Sequence, residues 1–190
     1  VPSAVVPVAV RFFDLETNKL SLTLDDGRHF LNRCRKQYDV VVLDAFLGDS
    51  SPSHLMTREA FASIRRVLRP GGTLVINSFG DLEDGKDFFA ASLNLTLKAV
   101  FPGVRIHTSG DGGIFFAASD RSPLKFVHPP NLENVHPEVL RDTESTYAGI
   151  VDVIPGHGRV LTDDYNPAEF YDARNREDLR RRLAMSAKEM

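Results

Sequence analysis

Val40 to Leu43 form an unbroken apolar run that ends in an acid, Asp44. A strand with one wet face alternates apolar and polar residues. A continuous run of valine and leucine is the pattern of a strand covered on both faces, as in a parallel sheet between layers of helix. Parallel strands cannot be joined by a tight hairpin and need a long crossover, usually helical. This one stretch therefore constrains the fold more than any other. The residues after Asp44 are small or polar, with a second acid, Asp49, and a proline, Pro52, which is the chemistry of a loop.

The crossover is easily found. In TREAFASIRRVL, Thr57 to Leu68, the apolar Ala60, Phe61, Ile64, Val67 and Leu68 recur at helical spacing, with Arg58, Arg65 and Arg66 outside. Pro70-Gly71-Gly72 stops that helix, and TLVINSF, Thr73 to Phe79, reads as the next strand. A second amphipathic helix is predicted over about Lys86 to Phe101. VRIHTS, the turn Gly110 to Gly113 and GIFFAAS then read as an antiparallel pair. Upstream, PSAVVPVAVRFF opens a helix, KLSLTL (Lys19 to Leu24) alternates like a strand, and GRHFLNRC follows Asp25-Asp26-Gly27 as a short helix. The alternation predicts an α/β fold with a mainly parallel sheet and a C-terminal antiparallel hairpin. The last third is less regular. It holds a proline-containing loop over 120–135, a short helix from His136 to Arg141, a polar insert LTDDYNPAEF (Leu161 to Phe170) and a charged helix from Asn175 to Met190.

With 190 residues and 42% apolar content, one domain with a real core is expected. A net charge of −3 offers no basic surface for nucleic acid. No apolar run approaches the roughly 20 residues of a membrane span, and Val1 to Val10 shows no signal-peptide pattern. The single cysteine, Cys34, excludes an internal disulfide and fits a cytoplasmic setting; it reads as an inert thiol near a helix end. Six histidines are scattered without an HxxxH pair, so no metal site is expected.

In open α/β sheets, ligands bind beyond the carboxyl ends of the parallel strands. Asp26 and Asp44 both end strand-like runs at that edge. Each also has a structural alternative: Asp25-Asp26-Gly27 as a turn with a helix cap, Asp44 as a cap or loop hydrogen bond.

Five stretches, DDGRHFL, YDVVVLDAF, SPSHLMTREAF, VLRPGGTLVINSF and LTDDYNPAEF, in this order resemble the spermidine synthase-like (polyamine aminopropyltransferase) branch of the S-adenosylmethionine-dependent methyltransferase superfamily. The resemblance runs over about residues 1–171, a partial domain, with 172–190 as a charged terminal helix. It implies a Rossmann-like sheet that binds decarboxylated S-adenosylmethionine, or S-adenosylmethionine itself in relatives that methylate, with a small amine as acceptor and no metal. Asp44 matches the catalytic aspartate. Asp26 matches the acid that contacts the adenine amino group, with Gly27 and Ala45 also on the nucleotide. Asp49, Asp164 and Tyr165 are the groups that would face the acceptor, beside Asp163; a plain Asp/Asn/Pro turn is the alternative for LTDDYNP.

The sequence also departs from the family. A second aspartate is expected three residues after the first, where Leu47 stands. The glycine-rich loop and the acid for the ribose are missing, and with them the first two strands of the sheet. Those strands would lie between Lys19–Leu24 and Asp39–Asp44. Three situations are expected to resolve this: an N-terminal portion on the same gene, a partner chain or homodimer that completes the sheet, or direct pairing of the two strands. A truncated, non-catalytic interaction module is the reading from a different class.

Overall fold

The computed structural model describes residues 5–45, 52–110, 112–126, 128–152 and 157–171, with Ala173, Glu177 and Arg181 beyond them. The chain divides into two compact units, 1–35 and 36–190.

The first unit holds α1 (Val5–Phe12), a 3-10 turn (Thr17–Lys19) and α2 (Gly27–Arg33). Pro7 falls in the first turn of α1, where no intrahelical donor is lost. The backbone N–H groups of Arg28 and His29 donate to Asp26 Oδ1 at 2.9 and 3.0 Å, and this cap starts α2. Cys34 ends the helix as its C-cap and is buried. The strand expected over Lys19–Leu24 does not form: Thr17–Lys19 is a 3-10 turn, and Leu20, Leu22 and Leu24 are exposed in irregular chain. Alternation creates a potential strand, but a strand needs a neighbour to satisfy its backbone, and the described residues of this unit contain none.

The second unit carries a five-stranded mixed sheet, with α/β architecture as the sequence predicts. Its strands are β1 (Tyr38–Leu43), β2 (Leu68–Phe79), β3 (Gly103–Thr108), β4 (Gly113–Ser119) and β5 (Ile150–Val151), in the spatial order β1-β2-β4-β3-β5. β1 and β2 are parallel, joined by the crossover helix α3 (Arg58–Val67), with Val42 opposite Val75 and Leu43 opposite Ile76. β2/β4, β3/β4 and β3/β5 are antiparallel. One sheet face presents Leu74, Ile76, Ile106, Ile114, Phe116 and Ala118, all buried, toward α3 and α4 (Phe88–Lys98). Those helices contribute Phe61, Ile64, Phe89, Leu93 and Leu97. Each of these large side chains stabilises the fold by roughly 1.5–3 kcal/mol through burial. β1 is one of the two edge strands among the described residues, and Val40 and Val42 on its other face remain 52% and 62% exposed. Direct pairing of β1 with residues 19–24 is not observed, because the latter form no strand.

Two boundaries differ from the sequence reading, and one short strand was not expected. β2 begins at Leu68 and runs through Pro70-Gly71-Gly72, where its register against β1 shifts. Gly71 takes φ +77°, and a Cβ on Gly72 would lie 3.0 Å from the Asp39 carbonyl, so the two glycines turn a helix stop into a bulge. α5 runs from Pro137 to Ala148, well past Arg141, because its polar second half lies against β3, with Thr146 O 3.1 Å from His107 Nδ1. β5 is too short to show a period. The charged helix expected from Asn175 lies almost wholly outside the described residues. No described helix is long and apolar enough to cross a membrane.

Candidate functional site

Asp44 follows directly on β1, at the carboxyl end of the parallel pair. Leu43, buried on the helix-covered face, anchors the strand, and the next residue emerges at the sheet edge as an exposed carboxylate. Asn77 Nδ2 on the neighbouring β2 donates to Asp44 Oδ1 at 3.0 Å. Among the described residues, the partner is therefore a side chain on the adjacent strand. Ala45 is half-buried beside it. Asn77 was not singled out in the sequence. Its signal is the parallel register, which brings the ends of β1 and β2 together. Asn77 also lines a hollow of about 680 Å³ on the less covered face of the sheet, with Phe79, Phe115, His107 and Tyr147.

The LTDDYNP element is fixed to the start of α3. Thr57, almost fully buried, caps α3 by accepting from Ala60 N at 3.1 Å, and its own hydroxyl donates to Asp163 Oδ1 at 2.6 Å. Asp163 N donates to Glu59 Oε2 at 3.0 Å, and Arg58 N to Leu161 O at 2.8 Å. Burial pushes the Glu59 carboxyl up, but hydrogen bonds from its own backbone N–H, from Arg58 and from Asp163 N–H outweigh it and hold its pKa below the ordinary value. Thr162 and Tyr165 exchange backbone bonds of 3.0 and 3.2 Å, closing a tight turn. Asn166 Nδ2 donates to Ser53 O at 2.6 Å, and Ser53 Oγ to Glu169 Oε1 at 2.6 Å. Asp163 thus serves the turn and its docking, whereas Asp164 and Tyr165 are exposed on it. The element is held against residues 53–59, the chain that returns from the loop after Asp44. Asp49 and Leu47, in that loop, lie outside the described residues.

The strap leading into this turn is sewn to α4. Arg159 N donates to Ser92 Oγ at 3.1 Å and Leu161 N to Thr96 Oγ1 at 2.9 Å. A Cβ on Gly158 would meet the backbone of Ala91 and Ser92 at 2.5 Å, so only glycine allows this approach.

In the N-terminal unit, Asp26 Oδ1 caps α2, the structural alternative that turn chemistry offered, and Gly27 is the first residue of the helix. Asp25 reaches His29 Nδ1 at 2.8 Å, and this hydrogen bond holds the Asp25 carboxyl below its ordinary pKa.

Comparison with known proteins places the chain in a family. The model of the spermine/spermidine synthase domain matches residues 7–108, over half of the chain. The N-terminal histidine N-methyltransferase of Emericella nidulans is 33% identical over 104 residues, covering 52% of this chain and 18% of the relative. A probable polyamine aminopropyl transferase of Bifidobacterium longum is 31% identical over 97 residues, 51% of this chain and 21% of its own. Polyamine aminopropyltransferase 2 of Hyperthermus butylicus is 31% identical over 111 residues, 55% of this chain and 36% of its own. The chain thus spans between about a fifth and about a third of the length of these relatives. Among solved structures, a probable spermidine synthase from Corynebacterium glutamicum superposes with TM-score 0.64 at 21% identity, over 85% of this chain and 61% of that one. Human methyltransferase-like protein 13, in complex with SAH, gives 0.54 at 20% identity, over 76% and 65%. These two show the fold: Rossmann-like, of the methyltransferase type.

Proposed function

Because the chain belongs to the spermine/spermidine synthase domain family, we propose that it moves an aminopropyl group from decarboxylated S-adenosylmethionine to a small amine. The observation that carries this reading is Asp44, an exposed carboxylate at the tip of a parallel strand, steadied by Asn77. In such a transfer the acceptor nitrogen attacks the carbon beside the sulfonium, a C–N bond forms and the C–S bond breaks, and the sulfur departs as a neutral thioether. Asp44 first holds the protonated amine and then takes the proton that it must lose, with one oxygen fixed by Asn77 and the other facing the amine. Asp164 and Tyr165, with Asp49, form the acceptor side. The resemblance assigns Ala45, beside Asp44, to the nucleotide, and within the first unit it assigns Asp26, the cap of α2, and Gly27 to the adenine. A segment or partner chain that lays a strand along the free edge of β1 completes the nucleotide cradle. A cytoplasmic location goes with this chemistry.

Incubation with decarboxylated S-adenosylmethionine and putrescine, read by mass spectrometry, is expected to show aminopropyl gain. Asp44→Asn is expected to lower kcat/KM by about 10²-fold or more with an unchanged circular dichroism spectrum. Near-normal turnover of that variant rejects the assignment.

A second reading, methyl transfer from S-adenosylmethionine, is favoured by the Emericella relative, itself a histidine N-methyltransferase. The same assay separates the two by the mass gained. Absence of both products, with no binding of methylthioadenosine, selects the non-catalytic module.

A further inference from the structure

We propose that Asp84, Asp87 and His157 form a binding site for one divalent transition-metal ion of the Zn²⁺ type. Each offers one ligand atom, and the three atoms lie within 4.8 Å of one another. His157 Nδ1 stands 3.3 Å from Asp84 Oδ1 and 3.4 Å from Asp87 Oδ1. These separations are long for charge-assisted hydrogen bonds, which run at about 2.7–2.9 Å. A ring nitrogen also carries at most one proton, so two carboxylates could share it only as a bifurcated, weaker bond. They do match the edges of a tetrahedron: ligands held about 2.0–2.1 Å from a zinc ion stand about 3.3–3.4 Å apart.

A second observation points the same way. The Asp87 side chain is 1% exposed, and its Oδ2 is a buried oxygen without a hydrogen-bond partner. A buried carboxylate is strongly unfavourable unless a cation or several donors compensate it. Asp87 occupies the N-cap position of α4, where an aspartate ordinarily accepts from the first-turn amides, yet it makes no cap bond. Its Oδ1 faces His157 Nδ1 at 3.4 Å instead, with the Asp84 carboxylate in the same cluster. A protonated His157 bonded to Oδ1 would leave Oδ2 an orphan, whereas an ion held by both oxygens of Asp87 would compensate both.

The ligand set fits the ion. Two carboxylates and a neutral imidazole balance a double positive charge. The imidazole selects a transition ion over Mg²⁺ or Ca²⁺. Three protein ligands leave a fourth position to water. Asp84, whose side chain is 74% exposed, gives the ion a path from solvent. The neighbouring Lys86 ammonium lies 2.7 Å from Glu83 and 3.8 Å from Asp81. Bound there, the ion would fasten the head of α4 to the start of the strap over 157–161, the strap that delivers the LTDDYNP turn.

Calorimetric titration of Zn²⁺ into the chelator-stripped 190-residue chain is the test. One saturable site is expected, with a rise in Tm on loading and, for Co²⁺, the visible absorption of a tetrahedral complex. Asp84→Asn, at an exposed position, and His157→Gln are each expected to weaken binding by about 10-fold or more with unchanged circular dichroism. Asp87→Asn is expected to abolish it. No saturable binding of submillimolar Zn²⁺, or equal binding by the parent chain and the Asp84 and His157 variants, overturns the proposal.

Discussion

The two units of the chain use the same vocabulary and reach different ends. Residues 1–35 contain two helices, yet α1 buries no residue and α2 buries only Leu31. Residues 36–190 contain helices only a few residues longer, of 10, 11 and 12 residues against 8 and 7, but α3 alone buries Ala60, Phe61, Ile64 and Val67 against a sheet. The difference teaches where stability arises. Caps and propensity define a helix, and a second layer is what makes it part of a core.

The sharpest way to break this comparison is a pair of phenylalanine truncations followed by urea unfolding. Phe61→Ala, at a fully buried position, is expected to destabilise the second unit by about 3–5 kcal/mol. Phe13→Ala, at a side chain 78% exposed, is expected to change stability by no more than about 0.5 kcal/mol. Equal losses would mean that the first unit has a packed core as well.

The helix caps offer a finer version. Thr57→Ala removes the α3 cap and also leaves Asp163 without its hydroxyl donor. A loss of about 1–2 kcal/mol is expected, with faster proteolysis at the LTDDYNP turn. Asp26→Ala removes the α2 cap. It should cost about 1 kcal/mol or less, visible as reduced helicity near α2 and not in the main unfolding transition.

Acid gives the smallest effect. Glu59 and Asp25 both have depressed carboxyl pKa values. A depressed carboxyl contributes stability above its unfolded pKa, about 4.3 for Glu and 3.9 for Asp, and that contribution is lost as pH falls through the folded value. Glu59→Gln is therefore expected to flatten the fall of Tm below about pH 4.3. Asp25→Asn, on an exposed pair, is expected to leave that profile unchanged. A flattening of similar size from Asp25→Asn would show that both units melt in one transition.

Legibility follows the same divide. The β1 run, the α3 stripe, the β2 strand and the hairpin are all written in local periodicity, and each has a partner in the fold that rewards it. KLSLTL carries as clear an alternation but has no strand beside it, so the pattern stays unrealised. The place of Asp44 directly after its strand could be read because the strand has a definite end. Asn77 could not, because its meeting with Asp44 depends on the register between two strands. The docking of Asp163 on Thr57 joins residues 106 positions apart, and that of His157 on Asp87 residues 70 apart. No window of sequence displays either.

The exposed valines of β1 bear on how the purified chain behaves. Its outer border offers a row of backbone donors and acceptors beside apolar side chains, a template on which a second molecule can crystallise its own strand. Light scattering is therefore expected to rise steeply with concentration, and a charged residue at Val42 should suppress that rise while leaving the secondary structure as it is.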